Sequence, residues 1–190
     1  MDSDGLINAG PALTWMDARV DGRPITPRSG KACEVNALWY MGLRTTKRFS
    51  ELLGEPLDAA ADLPDRVKRS YQHFWNSETG CLYDVLDHED ASIRPNQIIA
   101  AGIEGLLPDV MRQSVLETVT RELLTPYGLR TLSPRDPRYA GWYEGGPASR
   151  DAAYHQGTVW PWLMGPYIDA LISIKGRSKA VRSQARELLQ

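Results

Sequence analysis

Apolar residues recur at spacings of three and four along most of this 190-residue chain, and that spacing is typical of amphipathic helices. A short strand is predicted over 14–20, and no other segment alternates convincingly between apolar and polar residues. The periodicity predicts six helices, which cover roughly residues 34–53, 57–76, 95–107, 109–123, 160–172 and 178–189. The chain is therefore expected to adopt an all-α fold.

The segments that join the predicted helices are of two kinds. Residues 54–56 and 175–178 are short connections, whereas residues 77–94 and 126–157 are long ones. Short connections join antiparallel neighbours, so the six helices are expected to form three helical hairpins with the long loops on one end. Binding residues concentrate on long loops that a rigid scaffold supports. The polar and aromatic clusters fall in residues 14–36, 76–97 and 139–162.

Composition and charge exclude several classes of protein. The net charge of −2 provides no basic field for nucleic acid, and no apolar run approaches the about 20 residues that span a bilayer. The segment Met1–Gly5 lacks the basic start and apolar stretch of a secretion signal. Cys33 and Cys81 have no redox or metal-ligand spacing. We therefore expect a single domain in the cytoplasm with reduced thiols, no metal and no cofactor.

One stretch, residues 154–162, combines three aromatic side chains with polar ones. Tyr154, Trp160 and Trp162 offer flat apolar faces, and His155 and Gln156 offer hydrogen-bonding groups. A sugar ring has apolar C–H faces to stack and a rim of hydroxyls to pair, so this composition suits a carbohydrate surface. Aromatic residues also dominate protein cores, so a purely structural role stays open for the stretch.

Carboxylates occur in each of the three polar clusters. Glu34 is predicted in the first turn of a helix, where it acts either as a charge that the helix dipole stabilises or as a catalytic carboxylate at a cleft. Glu144 precedes two glycines in a loop, from which its carboxylate is expected to project into a cleft, and Asp17 follows the predicted strand residue Trp15. Asp84, in an acidic run, is expected to lie on the solvated surface.

A second polar group precedes the predicted third helix. Arg94, Asn96 and Gln97 either cap that helix and bond to backbone, or recognise sugar hydroxyls. His155 has two interpretations as well, since a lone histidine is more often structural than a ligand. Nothing in the spacing of histidine, cysteine and acidic residues indicates a metal site.

These motifs resemble, in their order along the chain, the C-terminal glucosidase region of glycogen debranching enzymes, of the amylo-α-1,6-glucosidase type. The segments that carry the resemblance are Leu13–Ala18, Thr26–Lys31, Glu34–Tyr40, Arg94–Gln97, Leu124–Leu132 and Tyr154–Trp162. The resemblance covers nearly the whole chain. It implies an (α/α)6 toroid with the active site at one end, among the long loops.

The same resemblance implies that this chain corresponds to about half of the toroid, because the family has twelve helices and six are predicted here. The family's general acid, an aspartate in the first half, is expected to have no counterpart in this sequence. The glutamate that eukaryotic members use as the base falls at Val159. Glu34 and Glu144 are the candidates for the base, and the sequence does not decide between them.

The leading hypothesis is therefore the C-terminal part of an amylo-α-1,6-glucosidase, which hydrolyses α-1,6 branch points in glycogen and is inactive without a partner chain that carries the first half. The predicted sugar-binding wall consists of Trp15, Asp17, Arg94, Asn96, Gln97, Tyr143, His155, Gln156 and Trp160. The alternative is a non-catalytic carbohydrate-binding remnant or a subunit of a split glycosidase. Binding of a glucan without turnover distinguishes this alternative from an active enzyme.

Overall fold

A computed structural model describes residues 1–55 and 62–190 of the chain. Within these residues the helices are α1 (Cys33–Leu53), α2 (Leu63–Tyr71), α3 (Gln97–Gly102), α4 (Asp109–Leu123), α5 (Pro147–Ala153), α6 (Met164–Lys175) and α7 (Lys179–Glu187). The short strands are β1 (Arg19–Val20), β2 (Arg23–Pro24), β3 (Trp75–Asn76), β4 (Cys81–Leu82), β5 (Leu124–Thr125), β6 (Gly128–Arg130) and β7 (Val159–Trp160). Helices dominate this architecture, which confirms the predicted class in its coarse form. In the described ranges, none of the helices combines the length and the apolar character that crossing a membrane requires.

Three pairs of helices pack as sequence neighbours: α1 with α2, α3 with α4, and α6 with α7. The short helix α3 lies at the centre and packs against α1, α4 and α6. Its residues Ala100 and Ala101 are fully buried, and a Cβ on Gly102 would lie only 3.6 Å from the backbone nitrogen of Ala170. Small side chains therefore allow α3 and α6 to approach closely, which brings the segments that precede them together.

The ends of α1 and α7 follow the sequence prediction. Gly54 ends α1 in the left-handed conformation with φ of 70°, which glycine adopts without the clash that a Cβ would cause. Ser178 caps α7, because its Oγ accepts a hydrogen bond from the backbone N–H of Val181 at 3.3 Å.

The prediction that strands occur only near residues 14–20 is wrong. In that segment only Arg19–Val20 is a strand, and it pairs with Arg23–Pro24. A second hairpin joins β3 to β4, where the Oδ1 of Asn76 accepts hydrogen bonds from the backbone of Glu78 and Thr79. A third sheet has the order β5-β6-β7. These strands are two or three residues long, so alternation over a window cannot reveal them.

Several predicted helix boundaries also need correction. The helix predicted over 57–76 begins at Leu63 in the described part and gives way to strand β3 at Trp75, while residues 57–61 lie outside the described residues. The third helix spans only Gln97–Gly102 rather than 95–107, and the segment 127–157, predicted as a loop, contains β6 and α5. The fifth helix begins at Met164 rather than Trp160, because Trp160 pairs with Leu129 across the sheet.

Candidate functional site

The segments that precede three helices meet at one place in the fold. Glu34 lies in the first turn of α1, Asn96 immediately precedes α3, and Trp160 lies shortly before α6. Asn96 and Trp160 contact Trp15 itself, and Glu34 is linked to the neighbouring Thr14 through Arg28. The indole of Trp15 donates to Asn96 at 2.8 Å, and its ring lies 6.3 Å from that of Trp160. The polar clusters at 14–36, 76–97 and 139–162 are therefore brought together by the packing of α1, α3 and α6.

Arg28 is the centre of a buried network of charges. Its Nη1 and Nη2 donate to the two carboxylate oxygens of Glu34, each at 2.6 Å. Its Nε donates to Oδ2 of Asp84 at 2.6 Å, and Nη1 also reaches the hydroxyl of Thr14 at 2.9 Å. The backbone of Arg28 has φ of 43°, a left-handed conformation that costs energy in a residue other than glycine. A strained turn thus directs this side chain into the interior.

Burial and ion pairing have opposite effects on Arg28. Burial lowers the pKa of the guanidinium, but the neighbouring carboxylates Asp84 and Glu34 outweigh burial and raise that pKa well above its usual value. The side chains of Arg28, Glu34 and Asp84 are all at least 95% buried in the two ion pairs that join them. The arginine is therefore a permanent cation that neutralises two buried carboxylates, and neither carboxylate is open to solvent.

The same residues contain a set of atoms that suits a metal ion. The ligand atoms of Cys33, Glu34 and Asp84 lie within 4.8 Å of one another. The guanidinium of Arg28 already donates to both carboxylates, so it supplies the positive charge there. Burial, followed by the charges of Asp84 and Glu34, raises the pKa of the Cys33 thiol well above its usual value. A protonated thiol is a poor metal ligand, so we assign this cluster to ion pairing.

Arg94 connects the loop before α3 to the stretch 154–162. Its Nη1 donates to the backbone carbonyls of Thr131 and His155, at 3.1 and 2.8 Å, and its Nη2 donates to Oε1 of Gln156 at 2.8 Å. Its Nε lies 3.6 Å from Asp84. Burial lowers the pKa of this guanidinium, and the negative charge of Asp84 opposes that effect. Arg94 therefore connects the loop before α3 to the segments that contain Thr131 and His155.

Above the charged network lies a cluster of rings that we call the aromatic wall, made of Trp15, Tyr154, His155, Trp160 and Trp162. Trp15 lies at its centre, with ring centroids at 5.2 Å from His155 and 5.0 Å from Trp162. Both contacts are edge-to-face, a favourable geometry for aromatic pairs. The indole of Trp160 donates to the backbone oxygen of Tyr154 at 3.1 Å. Trp162 remains 46% exposed, so the wall presents aromatic surface to solvent.

His155 is held in its neutral form. Burial lowers its pKa to about 4 from an ordinary value of 6.5, while the carboxylate of Asp17 acts in the opposite direction. Its Nδ1 has no hydrogen-bond partner within the part of the chain that the structure describes. A ring that is neutral throughout the physiological range stacks as an aromatic and does not act as a charged acid.

The lowered pKa of His155 predicts a loss of stability in acid. Between pH 6.5 and about 4 the unfolded chain binds a proton at this residue and the folded chain does not, so stability falls as the pH decreases through this window. We expect the midpoint of thermal unfolding to decrease over this range, and H155Q to weaken that dependence. H73Q, at an exposed histidine, is the control. An unchanged pH profile in H155Q would contradict the assignment.

The structure separates the predicted site residues into two groups. Asp17, Tyr143 and Glu144 are exposed, and Trp15 and Trp160 are half-buried. The other members are buried: Glu34, Arg94, Asn96, Gln97, His155 and Gln156. Of these, His155 is a ring of the wall itself, and the remaining five hydrogen-bond to other groups of the protein. Tyr143 extends the aromatic surface, because its ring lies 5.8 Å from that of Tyr154.

Two buried residues of the site, Asp84 and Arg28, differ from what the sequence predicts. Asp84 was expected on the solvated surface, but it is 2% exposed because Arg28 and Asn96 enclose it. Arg28 carried no predicted role, although its Thr-Pro-Arg motif belongs to the segments that resemble the family. A buried arginine that pairs with distant carboxylates leaves no local pattern in a sequence.

A cavity of about 280 Å³ lies beside the charged network. Its lining includes Thr26, Asp90, Arg138 and Gln156. Pockets for small molecules commonly measure about 300–1,000 Å³, so this one is of a size for a single small polar group. Two wider grooves, of about 440 and 560 Å³, lie along α1 and around Gly105, and Trp15 lines neither of them.

Comparisons with known proteins agree with the sequence motifs. A family model described as amylo-alpha-1,6-glucosidase matches residues 1–190. The glycogen debranching enzyme of Saccharomyces cerevisiae (strain ATCC 204508 / S288c) is 28% identical over 220 aligned residues. That alignment covers 88% of this chain but 14% of the yeast protein. The chain thus spans about a seventh of the length of this curated relative.

Proposed function

Because the chain belongs to the amylo-alpha-1,6-glucosidase family, we propose that it forms the sugar-binding wall and part of the catalytic machinery of an enzyme that hydrolyses α-1,6 branch points in glycogen or a related α-glucan. The observation that carries this proposal is the aromatic wall, which lies over a sealed network of charges and next to exposed carboxylates. A cytoplasmic location, with the free thiols Cys33 and Cys81, belongs to the same proposal.

The aromatic wall is suited to sugar rings for a physical reason. The C–H faces of a pyranose are apolar and stack on indole rings, and the burial of that surface favours binding. Trp15, Trp160 and Trp162 keep part of their surface open to solvent. In this proposal they contact glucose units, whereas Arg94 and Gln156 hold the loops that carry the rings.

Catalysis by two carboxylates requires side chains that reach the substrate. Glu34 is sealed in its ion pair with Arg28, so we propose a supporting role for it. Asp17 is exposed beside His155, and Glu144 is exposed in the loop next to the Tyr143–Tyr154 pair. We propose that one of these two supplies the base, which activates a water molecule, and that the acid, which protonates the glycosidic oxygen, comes from another part of the toroid.

We further propose that this part of the chain packs against another part of an (α/α)6 toroid. One side of α1 carries exposed apolar residues at helical spacing, namely Leu38, Met41, Phe49, Leu52 and Leu53. An exposed apolar stripe of this kind commonly marks an interface. In this proposal a neighbouring helical pair covers it, supplied by the same polypeptide or by a separate chain, and encloses the glucan cleft.

The proposal predicts that the 190-residue protein binds maltoheptaose but releases little glucose from a branched limit dextrin, because one side of the cleft remains open to water. W162A is expected to weaken binding about tenfold, the effect of removing a central aromatic contact. Isothermal titration calorimetry measures the affinity, and Y127A, at an exposed tyrosine outside the wall, is the control.

Three outcomes separate the candidate functions. Binding without turnover, and without rescue by any other fragment, supports the non-catalytic module. Glucose release that appears on mixing with a chain that carries the remaining helices supports a split enzyme. Absence of maltoheptaose binding, or equal losses in W162A and Y127A, contradicts the assignment of the aromatic wall to sugar.

A further inference from the structure

Trp15 makes a side-chain contact that no other ring of the aromatic wall shares. Its Nε1 donates a hydrogen bond of 2.8 Å to Oδ1 of Asn96. The Nδ2 of Asn96 in turn donates to Oδ1 of Asp84 at 2.7 Å. Asn96 is fully buried and Asp84 is 2% exposed, so the bond between them is shielded from water. A chain of two short hydrogen bonds therefore leads from a buried carboxylate to the central ring of the wall.

The chemistry of the two end groups determines the orientation of Asn96. A carboxylate only accepts hydrogen bonds, and an indole nitrogen only donates them. If the amide of Asn96 were turned over, its oxygen would face the oxygen of Asp84 and its NH₂ group would face the indole N–H of Trp15. Both contacts would be repulsive, so Asp84 and Trp15 together specify a single orientation.

The position of Asp84 is itself determined by two neighbouring arginines. Its Oδ2 accepts from Arg28 at 2.6 Å, and the Nε of Arg94 lies 3.6 Å away. Arg94 also holds the carbonyl of His155, a ring that contacts Trp15. The carboxylate is therefore held by two arginines, and its Oδ1 accepts from Asn96 at 2.7 Å as well as from Nη2 of Arg28 at 3.1 Å.

We propose that Asp84 is a positioning residue of the sugar-binding site, which sets the angle of the Trp15 ring through Asn96. The assignment of the wall to sugar rests on the proposed function, whereas the coupling of Asp84 to Trp15 is independent of any ligand. Since Trp15 contacts His155, Trp160 and Trp162, the tilt of its indole determines the shape of the aromatic wall.

The two hydrogen bonds that join Asp84 to Asn96 and Asn96 to Trp15 form a relay. The first test removes Asn96, its middle residue, and leaves the ion pair of Asp84 with Arg28 in place. N96L eliminates both hydrogen bonds, and N36L is the matched control, because Asn36 is also fully buried but bonds to the backbone of Ile7 and Ala32. The readout is the ¹H–¹⁵N NMR signal of the Trp15 indole, assigned through W15F. We expect N96L to shift that signal and accelerate its hydrogen exchange, and N36L to do neither.

The second test exchanges the two relay residues. D84N places an NH₂ group against a donor of either Arg28 or Asn96, and N96D brings two carboxylates face to face, so each single variant disturbs the relay. In the double variant D84N/N96D the new amide at position 84 donates to the carboxylate at position 96, whose other oxygen accepts from Trp15. We expect each single variant to weaken maltoheptaose binding about tenfold and the double variant to recover most of the loss.

The unmodified protein provides a measurement that needs no variant to fold. The Trp15 indole proton is expected to exchange more slowly than that of Trp142, which is 79% exposed. Equal exchange rates, or an unchanged Trp15 signal in N96L, would overturn the proposal. If the wild type does not bind maltoheptaose but N96L shifts the Trp15 signal, the coupling stands and the assignment of the wall to sugar fails.

Discussion

Replacement of Arg28 with methionine is expected to lower the free energy of unfolding by about 3–5 kcal/mol, a loss typical of breaking a buried ion pair. Methionine fills much of the same volume but supplies neither charge nor donors. Glu34 and Asp84 would then lie within the protein without the cation that pairs with both of them. Because burial of two unpaired carboxylates is costly, we expect R28M to have the largest effect on the free energy of unfolding among the variants considered.

Urea denaturation of R28M and of R121M tests this expectation. Arg121 also pairs with a carboxylate, Glu122 at 3.0 Å, but its side chain is 57% exposed. Exposed pairs contribute about 0–1 kcal/mol, so R121M is expected to unfold close to the wild type. Similar midpoints for R28M and R121M would show that the buried network does not support the fold.

Substitution of Gly157 by alanine is expected to displace the aromatic wall and abolish maltoheptaose binding, with a loss of about 1–3 kcal/mol in stability from backbone strain. Gly157 has φ of 150°, and a Cβ there would collide with the backbone carbonyl of Ala140 and the ring of Tyr139. Its N–H also donates to the hydroxyl of Thr131 at 2.8 Å. The backbone at Gly157, which directly follows Gln156, or that at Ala140 must therefore move to accept a methyl group.

G146A is the matched control for this variant. Gly146 precedes α5 with φ of −74°, and a Cβ there would meet no described atom within 4 Å. We expect its stability to stay within about 0.5 kcal/mol of the wild type and its affinity for maltoheptaose to be unchanged. Thermal unfolding and calorimetric titration on the three proteins provide the comparison. Wild-type affinity in G157A would show that the wall tolerates movement of this segment.

The long helices could be predicted from the sequence, and the short strands could not. The helices α1 and α4 agree with the predicted stretches, because amphipathic periodicity over many residues is a local pattern. Trp160 was predicted to begin a helix, since it continues the apolar spacing of α6. In the structure it pairs with Leu129, and a pairing between distant segments has no counterpart in local periodicity.

In the candidate site, too, the features that depend on local sequence could be predicted, and those that depend on contacts between distant segments could not. Trp15, His155 and Trp160 could be selected from composition and motif order, and the structure places them in contact. Glu34 and Asp84 could not be interpreted correctly as separate residues. A carboxylate in a first turn and another in an acidic run are usually solvated. These two are buried because Arg28 lies between them and pairs with both.

The sequence by itself determined the helical character of the chain and its family membership, because both depend on the order of residues along the polypeptide. The tertiary structure decided which charged groups are enclosed and which reach solvent. Arg28 and Asp84 are separated by 56 positions, and they meet because the segments that carry them pair with each other at Ala32 and Val85. Burial strengthens that ion pair, because the attraction between charges is larger away from water. Asp17 and Glu144 stay exposed near the wall. Which carboxylates are buried is a property of the assembled fold.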